Sequence, residues 1–273
     1  MDVGVTPGMT VHAAVEAVSH TYPGVGPTGP VHALGPIDLQ VRQGEFVAVV
    51  GPSGCGKSTL LELLCGLGRP SQGRISFEGR PLDGPADGIG VVFQQDASFP
   101  WLRVRDNVEF GLRQLDLTAH ARREKVDGAL AFMGLTDFAE AYPAQLSGGM
   151  RQRVCIARTL VLEPRLLLLD EPFGALDAQT RLLMGEELLA VWRRTGASAL
   201  LITHSLEEAV MLADRVCVMS ARPGRIIHEA TTGWPAERDS TIMEDARFGD
   251  ITAELWHELR AQSLRALRGE AAT

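Results

Sequence analysis

Short apolar runs alternate with longer amphipathic stretches along most of the chain, and this alternation predicts strands joined by helices. Phe46-Val-Ala-Val-Val50 is a continuous run rich in valine, the pattern of a strand buried on both faces. Helical spacing follows over residues 57–67 and stops at Gly66 and Gly68. Residues 89–93 form another short strand, and strand patterns return at 166–170, 199–203 and 215–219, with helical spacing at 178–194 and 205–213. Such an order argues for a mainly parallel sheet covered by helices on both faces. Two regions break the rhythm. Between residues 15 and 50 the apolar positions fall in β-type runs interrupted by a Gly/Pro-rich stretch at 23–36, which suggests an antiparallel edge layer. From about 96 to 162 the pattern turns helical, with helices at 106–112, 119–133 and 150–162, Thr118 as N-cap of the second and Gly134 as its stop. The expected fold class is therefore α/β: a parallel core sheet, an antiparallel β edge layer and an inserted helical subdomain, all within residues 15–233. A tail at 1–14 precedes this domain, and a connector with an amphipathic helix at about 250–268 follows it over 234–273.

Composition narrows the field by exclusion. A chain of 273 residues, 45% hydrophobic, can bury a full core. Its net charge of −8 offers no basic surface to neutralise a nucleic-acid backbone, so nucleic acid is not an expected partner. Cys55, Cys65, Cys155 and Cys217 have no CxxC spacing and read as small buried hydrophobes in a reducing compartment. The longest apolar runs, such as 46–50 and 166–169, fall far short of the roughly 20 residues that span a bilayer. No basic stretch followed by an apolar run opens the chain, so a secretory signal is not expected, and Met9 competes with Met1 as the start.

Chemistry enters at Gly51-Pro52-Ser53-Gly54-Cys55-Gly56-Lys57-Ser58-Thr59, which fits G-x-x-x-x-G-K-[ST] between a predicted strand and a predicted helix. Glycines let the backbone turn tightly enough to aim N–H groups at phosphate oxygens, and the helix N-terminus adds its positive dipole. Lys57 would reach the β- and γ-phosphates of a nucleoside triphosphate, Ser58 a magnesium ion, and Thr59 the α-phosphate. Asp170 and Glu171 close a hydrophobic strand at its carboxyl end, where open α/β sheets bind ligands. They suit a division of labour in which Asp170 serves the metal and Glu171 orients or deprotonates water. At Leu146-Ser-Gly-Gly-Met-Arg-Gln-Arg153 a serine and two glycines open a helix, which reads either as a second anion site lacking its lysine or as an ordinary N-cap.

Taken together, GPSGCGKST, LSGGMRQR and LLLLDEPF resemble the ATP-binding-cassette ATPases, members of the P-loop NTPases with a RecA-like core, and the matches run from Val15 to Met219. Gln94 in VVFQQ resembles the glutamine loop, Gly174-Ala-Leu-Asp177 the D-loop, and His204 in ITHS the switch histidine; Tyr22 sits where the family stacks an aromatic on adenine. The resemblance implies ATP and Mg²⁺ as cofactors, with Ser58, Gln94 and Asp170 at the metal. It implies a head-to-tail dimer in which Ser147, Gly148 and Gly149 of one copy face the phosphate loop of the other. It also implies Glu171 as base and His204 on the γ-phosphate. Asp177 fits a dimer contact and a plain helix N-cap equally. Phe93, Trp101 and Phe110 read as core or subdomain packing. The apolar Phe99, Pro100, Trp101 and Leu102, within a segment from Gln95 to Asn107, read either as inward packing or as a docking patch for a membrane permease helix. That segment and Met219-Ser-Ala-Arg-Pro-Gly-Arg225 most resemble the nitrate, sulfonate and taurine importer ATPases. Such subunits work in pairs on the cytoplasmic face of the membrane, peripherally, on permease subunits fed by an external solute-binding protein. The alternative is a soluble ATPase or regulatory subunit of the same family without a permease.

Overall fold

The computed structural model describes residues 10–24, 29–94, 97–174 and 176–268. Met1, Met9, Gln95, Asp96 and Ala175 lie outside the described residues. In chain order the elements are β1 (Val11–Tyr22), β2 (Val31–Arg42), β3 (Phe46–Val50), α1 (Lys57–Leu64), β4 (Gln72–Phe77), β5 (Arg80–Pro81) and β6 (Ile89–Val92). Then come α2 (Val104–Glu109), α3 (Ala119–Phe132), α4 (Gly148–Leu160), β7 (Leu166–Asp170), α5 (Ala178–Thr195), β8 (Ser198–Thr203), α6 (Leu206–Leu212), β9 (Arg215–Met219), β10 (Ile226–Thr231) and α7 (Ala246–Arg268).

Two sheets carry the fold. The core sheet has the order β10-β9-β3-β8-β7-β6, parallel throughout except for β10 at its edge. The second, with order β2-β1-β4-β5, is antiparallel. In β3 every residue is fully buried, because alternate side chains serve different cores. Val47 and Val49 join α1 and the antiparallel sheet, while Phe46, Ala48 and Val50 join the helices between β6 and β7 together with α5 and α6. Thr118 caps α3 by accepting the amide of Ala121 at 3.2 Å.

Three features depart from the sequence reading. The Gly/Pro stretch does not stay a loop: β2 runs through Gly35 and Pro36, and its register against β1 jumps from Leu34 to Ile37. Pro36 thus sits at a bulge, where a missing N–H costs no ladder bond. β4 and β10 form strands the sequence reading did not include: exposure alternates along β10, yet its inward positions are Ile226, His228 and Ala230, too mixed in type to mark a strand in the sequence. Finally, the residues after 233 pack into the main core. Trp234 is 7% exposed and donates its indole N–H to Val210 O at 2.9 Å, while Phe248, Leu255 and Leu259 of α7 share that core.

Among the described residues, no helix is long and apolar enough to cross a membrane.

Candidate functional site

Four strands bring their carboxyl ends to one place: β3 leads into the Gly51–Gly56 loop, β7 ends at Asp170, β8 leads to His204, and Gln94 follows β6. Gly54 and Gly56 hold φ of 75° and 108°, a region in which a side chain is strained. Gly56, the N-cap of α1, supplies no side-chain cap, so the first amides of that helix remain open to an anion. Lys57 is 8% exposed and turns its ammonium back onto the loop, donating to Gly51 O at 2.8 Å and Pro52 O at 3.2 Å. Among the described residues no carboxylate forms an ion pair with it; its partners are these two carbonyls and Cys55 Sγ at 3.9 Å.

Ser58 hydrogen-bonds to Asp170, joining the first turn of α1 to the end of β7. Burial and then the neighbouring Glu171 charge raise the Asp170 acid above the usual carboxylate range, against the pull of Ser58 and Lys57. Glu171 sits at a φ of 43°, its amide donating to Ile202 O at 2.8 Å. Its Oε2 accepts Gln94 Nε2 at 2.8 Å and lies 3.3 Å from His204 Nδ1. Gln94 and His204 therefore converge on one carboxylate oxygen of Glu171, beside the Ser58–Asp170 pair. Tyr22 lies at the margin: its hydroxyl donates to Glu62 Oε2 at 3.1 Å and lies 3.2 Å from Thr59 Oγ1, and its ring is edge-on to His20. Burial raises the Tyr22 pKa above the usual phenol value.

Ser147, Gly148 and Gly149 are elsewhere. Ser147 caps α4 by accepting the amide of Met150 at 3.3 Å, and the nearest atoms a Cβ at Gly149 would meet are Leu176 Cδ2 at 3.6 Å and Thr180 Cγ2 at 3.8 Å. A Cβ at Gly148 would meet only the flexible Arg151 side chain at 3.9 Å. Both glycines have room for a methyl inside their own chain. Asp177 caps α5, its carboxylate accepting the Thr180 amide at 3.0 Å and hydroxyl at 2.7 Å, and the amide bond holds its acid below the usual range.

The aromatics near Gln94 are not core. Trp101 is 70% exposed, Phe110 46% and Phe93 40%, which corrects the expectation of inward packing. The cause is Asn107, fully buried, whose amide donates to the carbonyls of Phe99, Leu102 and Arg103 and whose Oδ1 accepts Phe99 N–H at 2.7 Å. That clamp spends the interior on backbone polar groups and turns the rings outward. Phe99 stays half-buried between Arg158 and Phe110 in a groove of about 210 Å³ that also includes Leu162.

Sequence reasoning missed Glu208. Its carboxylate accepts the Thr203 hydroxyl at the end of β8, and burial pushes its pKa up, against the pull of Thr203, Arg181 and His204. Only the sequence proximity to His204 hinted at it.

A family model described as ABC transporter matches residues 34–174. The nitrate import ATP-binding protein NrtD of Synechocystis sp. is 50% identical over 219 residues, covering 79% of this chain and 81% of that protein. The taurine import ATP-binding protein TauB of Burkholderia pseudomallei is 45% identical over 240 residues, covering 86% and 92%. Among solved structures, the ATP-binding cassette MJ0796, a dimer in a post-hydrolysis state bound to ADP and Pi, matches with a TM-score of 0.73 at 30% identity, covering 82% of this chain and 100% of that one.

Proposed function

The chain belongs to the ABC transporter family of ATP-binding proteins, and from that premise we propose that it is the ATP-hydrolysing subunit of an importer of a small solute of the nitrate, sulfonate or taurine type. The observation that carries this reading is the convergence of Gln94 and His204 on one carboxylate oxygen of Glu171, beside the Ser58–Asp170 pair and the loop of Lys57.

The residues divide the work. Lys57 exchanges its neutral carbonyl partners for β- and γ-phosphate oxygens, which adds the attraction of an opposite charge to hydrogen bonds its ammonium already makes. The open amides at the start of α1 take the remaining phosphate charge. Ser58 and Asp170, already hydrogen-bonded, and the Gln94 amide oxygen form a small set of hard oxygen donors that fits Mg²⁺, an ion that keeps several waters and phosphate oxygens of its own. An ion held by Ser58, Gln94 and Asp170 would supply positive charge opposite the transferred phosphoryl group. Glu171 takes the proton of a water as its oxygen bonds to the γ-phosphorus, while the bond from that phosphorus to the oxygen of ADP breaks and its electron pair leaves with ADP. His204 holds the γ-phosphate in line.

Ser147, Gly148 and Gly149 complete the site from a second copy, the phosphate lying between one copy's α1 and the other's α4. Two glycines with room for a methyl at an exposed helix start support this reading, since nothing within the chain requires them. ATP then favours the closed dimer by binding it better than the open one, and hydrolysis releases it. The outward-turned Trp101 and the Phe99–Phe110 groove suit an apolar helix of a permease, which would hold the pair at the cytoplasmic face of the membrane and connect it to an external solute-binding protein.

The test is Glu171→Gln in the purified chain. Turnover is expected to fall by about 10²- to 10⁴-fold, the usual contribution of a general base. ATP binding should persist, and the protein should sediment as a dimer with ATP. Turnover at the parent rate would refute Glu171 as the base, and a parent chain that fails to bind ATP would refute the nucleotide reading.

A further inference from the structure

Helix α7 presents Phe248, Leu255 and Leu259 to the core, and the next position on that stripe is a glutamine. Gln262 is 8% exposed, and its Oε1 accepts the buried amide of Ala221 at 3.1 Å, across 41 residues of chain. Ala221 belongs to the loop that leaves β9. Within this loop Ser220 Oγ accepts the Arg225 amide at 3.0 Å, and Gly224 exchanges two backbone bonds with β2: its N–H donates to Ala33 O at 3.0 Å and its carbonyl accepts Gly35 N–H at 2.9 Å.

The phosphate loop rests on this assembly. A Cβ added to Gly224 would lie 2.2 Å from Cys55 O, one on Gly56 would lie 2.8 Å from Ala33 O, and one on Gly51 would lie 3.1 Å from Met219 O. Gly51, Cys55 and Gly56 are thus in backbone contact with β2 and the 219–224 segment, so a shift of that segment is a shift of the loop.

We propose that Gln262 is a positioning residue for the nucleotide: by fixing the Ala221 amide it sets the height of the 220–225 loop beneath the phosphate loop, and ATP affinity depends on the C-terminal helix. This rests on the assignment of residues 51–59 to ATP. The partner amide is buried and, among the described residues, bonds only to Gln262, so removing the glutamine oxygen leaves it unpaired unless the loop moves.

The experiment uses the full chain. Gln262→Leu keeps the volume and removes the acceptor; Gln262→Glu keeps an acceptor. With Leu, the KM for ATP and the Kd of a fluorescent ATP analogue are expected to rise about three- to tenfold with kcat within about twofold, the signature of binding lost equally from ground and transition states. With Glu, both constants should stay within about twofold of the parent. An unchanged KM in Gln262→Leu, or a fall in kcat alone, overturns the proposal. If the leucine variant does not fold, the unaltered chain still decides, because coupling is reciprocal: saturating ATP must slow amide exchange at Ala221, and exchange unmoved by ATP overturns the proposal. Failure of the ATP assignment would look different, since Lys57→Ala would then bind the analogue as the parent does.

Discussion

Replacing Gly149 by alanine separates what the chain needs from what a second copy needs. Gly149 is the second residue of α4, with a φ outside the left-handed region, and an alanine methyl would make ordinary contacts at 3.6 and 3.8 Å. Substituting alanine where the backbone already suits it stabilises by about 0.4–1 kcal/mol, through the lost freedom of the unfolded chain. At roughly 2–4 °C per kcal/mol for a domain of this size, the nucleotide-free Tm should rise by about 1–4 °C. Ser147 satisfies only the Met150 amide, so the amides of Gly148 and Gly149 have no partner within the helix. If they bond a phosphate held by the other copy, a methyl at Gly149 keeps that phosphate at van der Waals rather than hydrogen-bond distance. Losing one charge-assisted bond of about 1.5–3 kcal/mol at each of the dimer's two sites weakens ATP-dependent dimerisation by about 10²- to 10⁴-fold and lowers turnover with it. Calorimetry without nucleotide, sedimentation with ATP in a Glu171→Gln background, and steady-state ATPase rates read the three quantities. A higher Tm with parental turnover would refute the composite site. A lower Tm would refute the reading of the local packing.

Two further outcomes follow from groups near the site. Burial raises the Glu208 acid above its ordinary 4.5, so its ionised form costs stability; the cost grows as pH rises through the folded value and vanishes below the ordinary one. Glu208→Gln, which keeps an acceptor for Thr203, should therefore melt above the parent at pH 8 and level with it near pH 4, and the reverse order in a pH series of thermal melts would contradict the assignment. Trp101→Ala, at a side chain 70% exposed, should leave Tm and the ATPase rate of the isolated subunit nearly unchanged, while recovery of the permease in a detergent pull-down falls; full recovery would remove Trp101 from the docking surface.

How far the sequence could be read depended on whether the deciding partner was local. The strand, loop and helix around Gly51 to Thr59 were legible because the signal is contiguous: a fully buried run, glycines at positive φ, then helical spacing. Asp170 and Glu171 were legible as the end of an apolar strand. Of the residues after 233 the helix expected at about 250–268 was legible, but the packing of the connector before it was not. Arg238 marked a charged connector, yet it is 1% exposed, its guanidinium bonded to Asp214 at 2.8 Å and to Leu212 O and lying 5.0 Å from the Trp192 ring centre. Its charge is visible in one residue, while the group that makes its burial tolerable lies 24 residues earlier. Trp101 misled for a related reason: an aromatic is core by default, and only the Asn107 clamp, a set of bonds to backbone atoms, turns it out.

Glycine shows most sharply what coordinates add to a motif. In the sequence Gly56 and Gly149 are equal members of two glycine-rich patterns. In the fold they differ in kind. Gly56 has a φ of 108° and would drive a Cβ to 2.5 Å from Leu34, so its own chain requires it. Gly149 faces no such constraint. Openness alone decides nothing, since Gly128 in α3 and Gly249 in α7 have nothing within 4 Å of a Cβ either. What distinguishes Gly148 and Gly149 is that they carry the unpartnered amides of a helix start, where a missing side chain lets a ligand reach the backbone. If a second copy's α4 start meets the phosphate that Lys57 holds, alanine at Gly149 lowers ATP turnover while alanine at Gly128 or Gly249, equally open but inside a helix, leaves it at the parent rate.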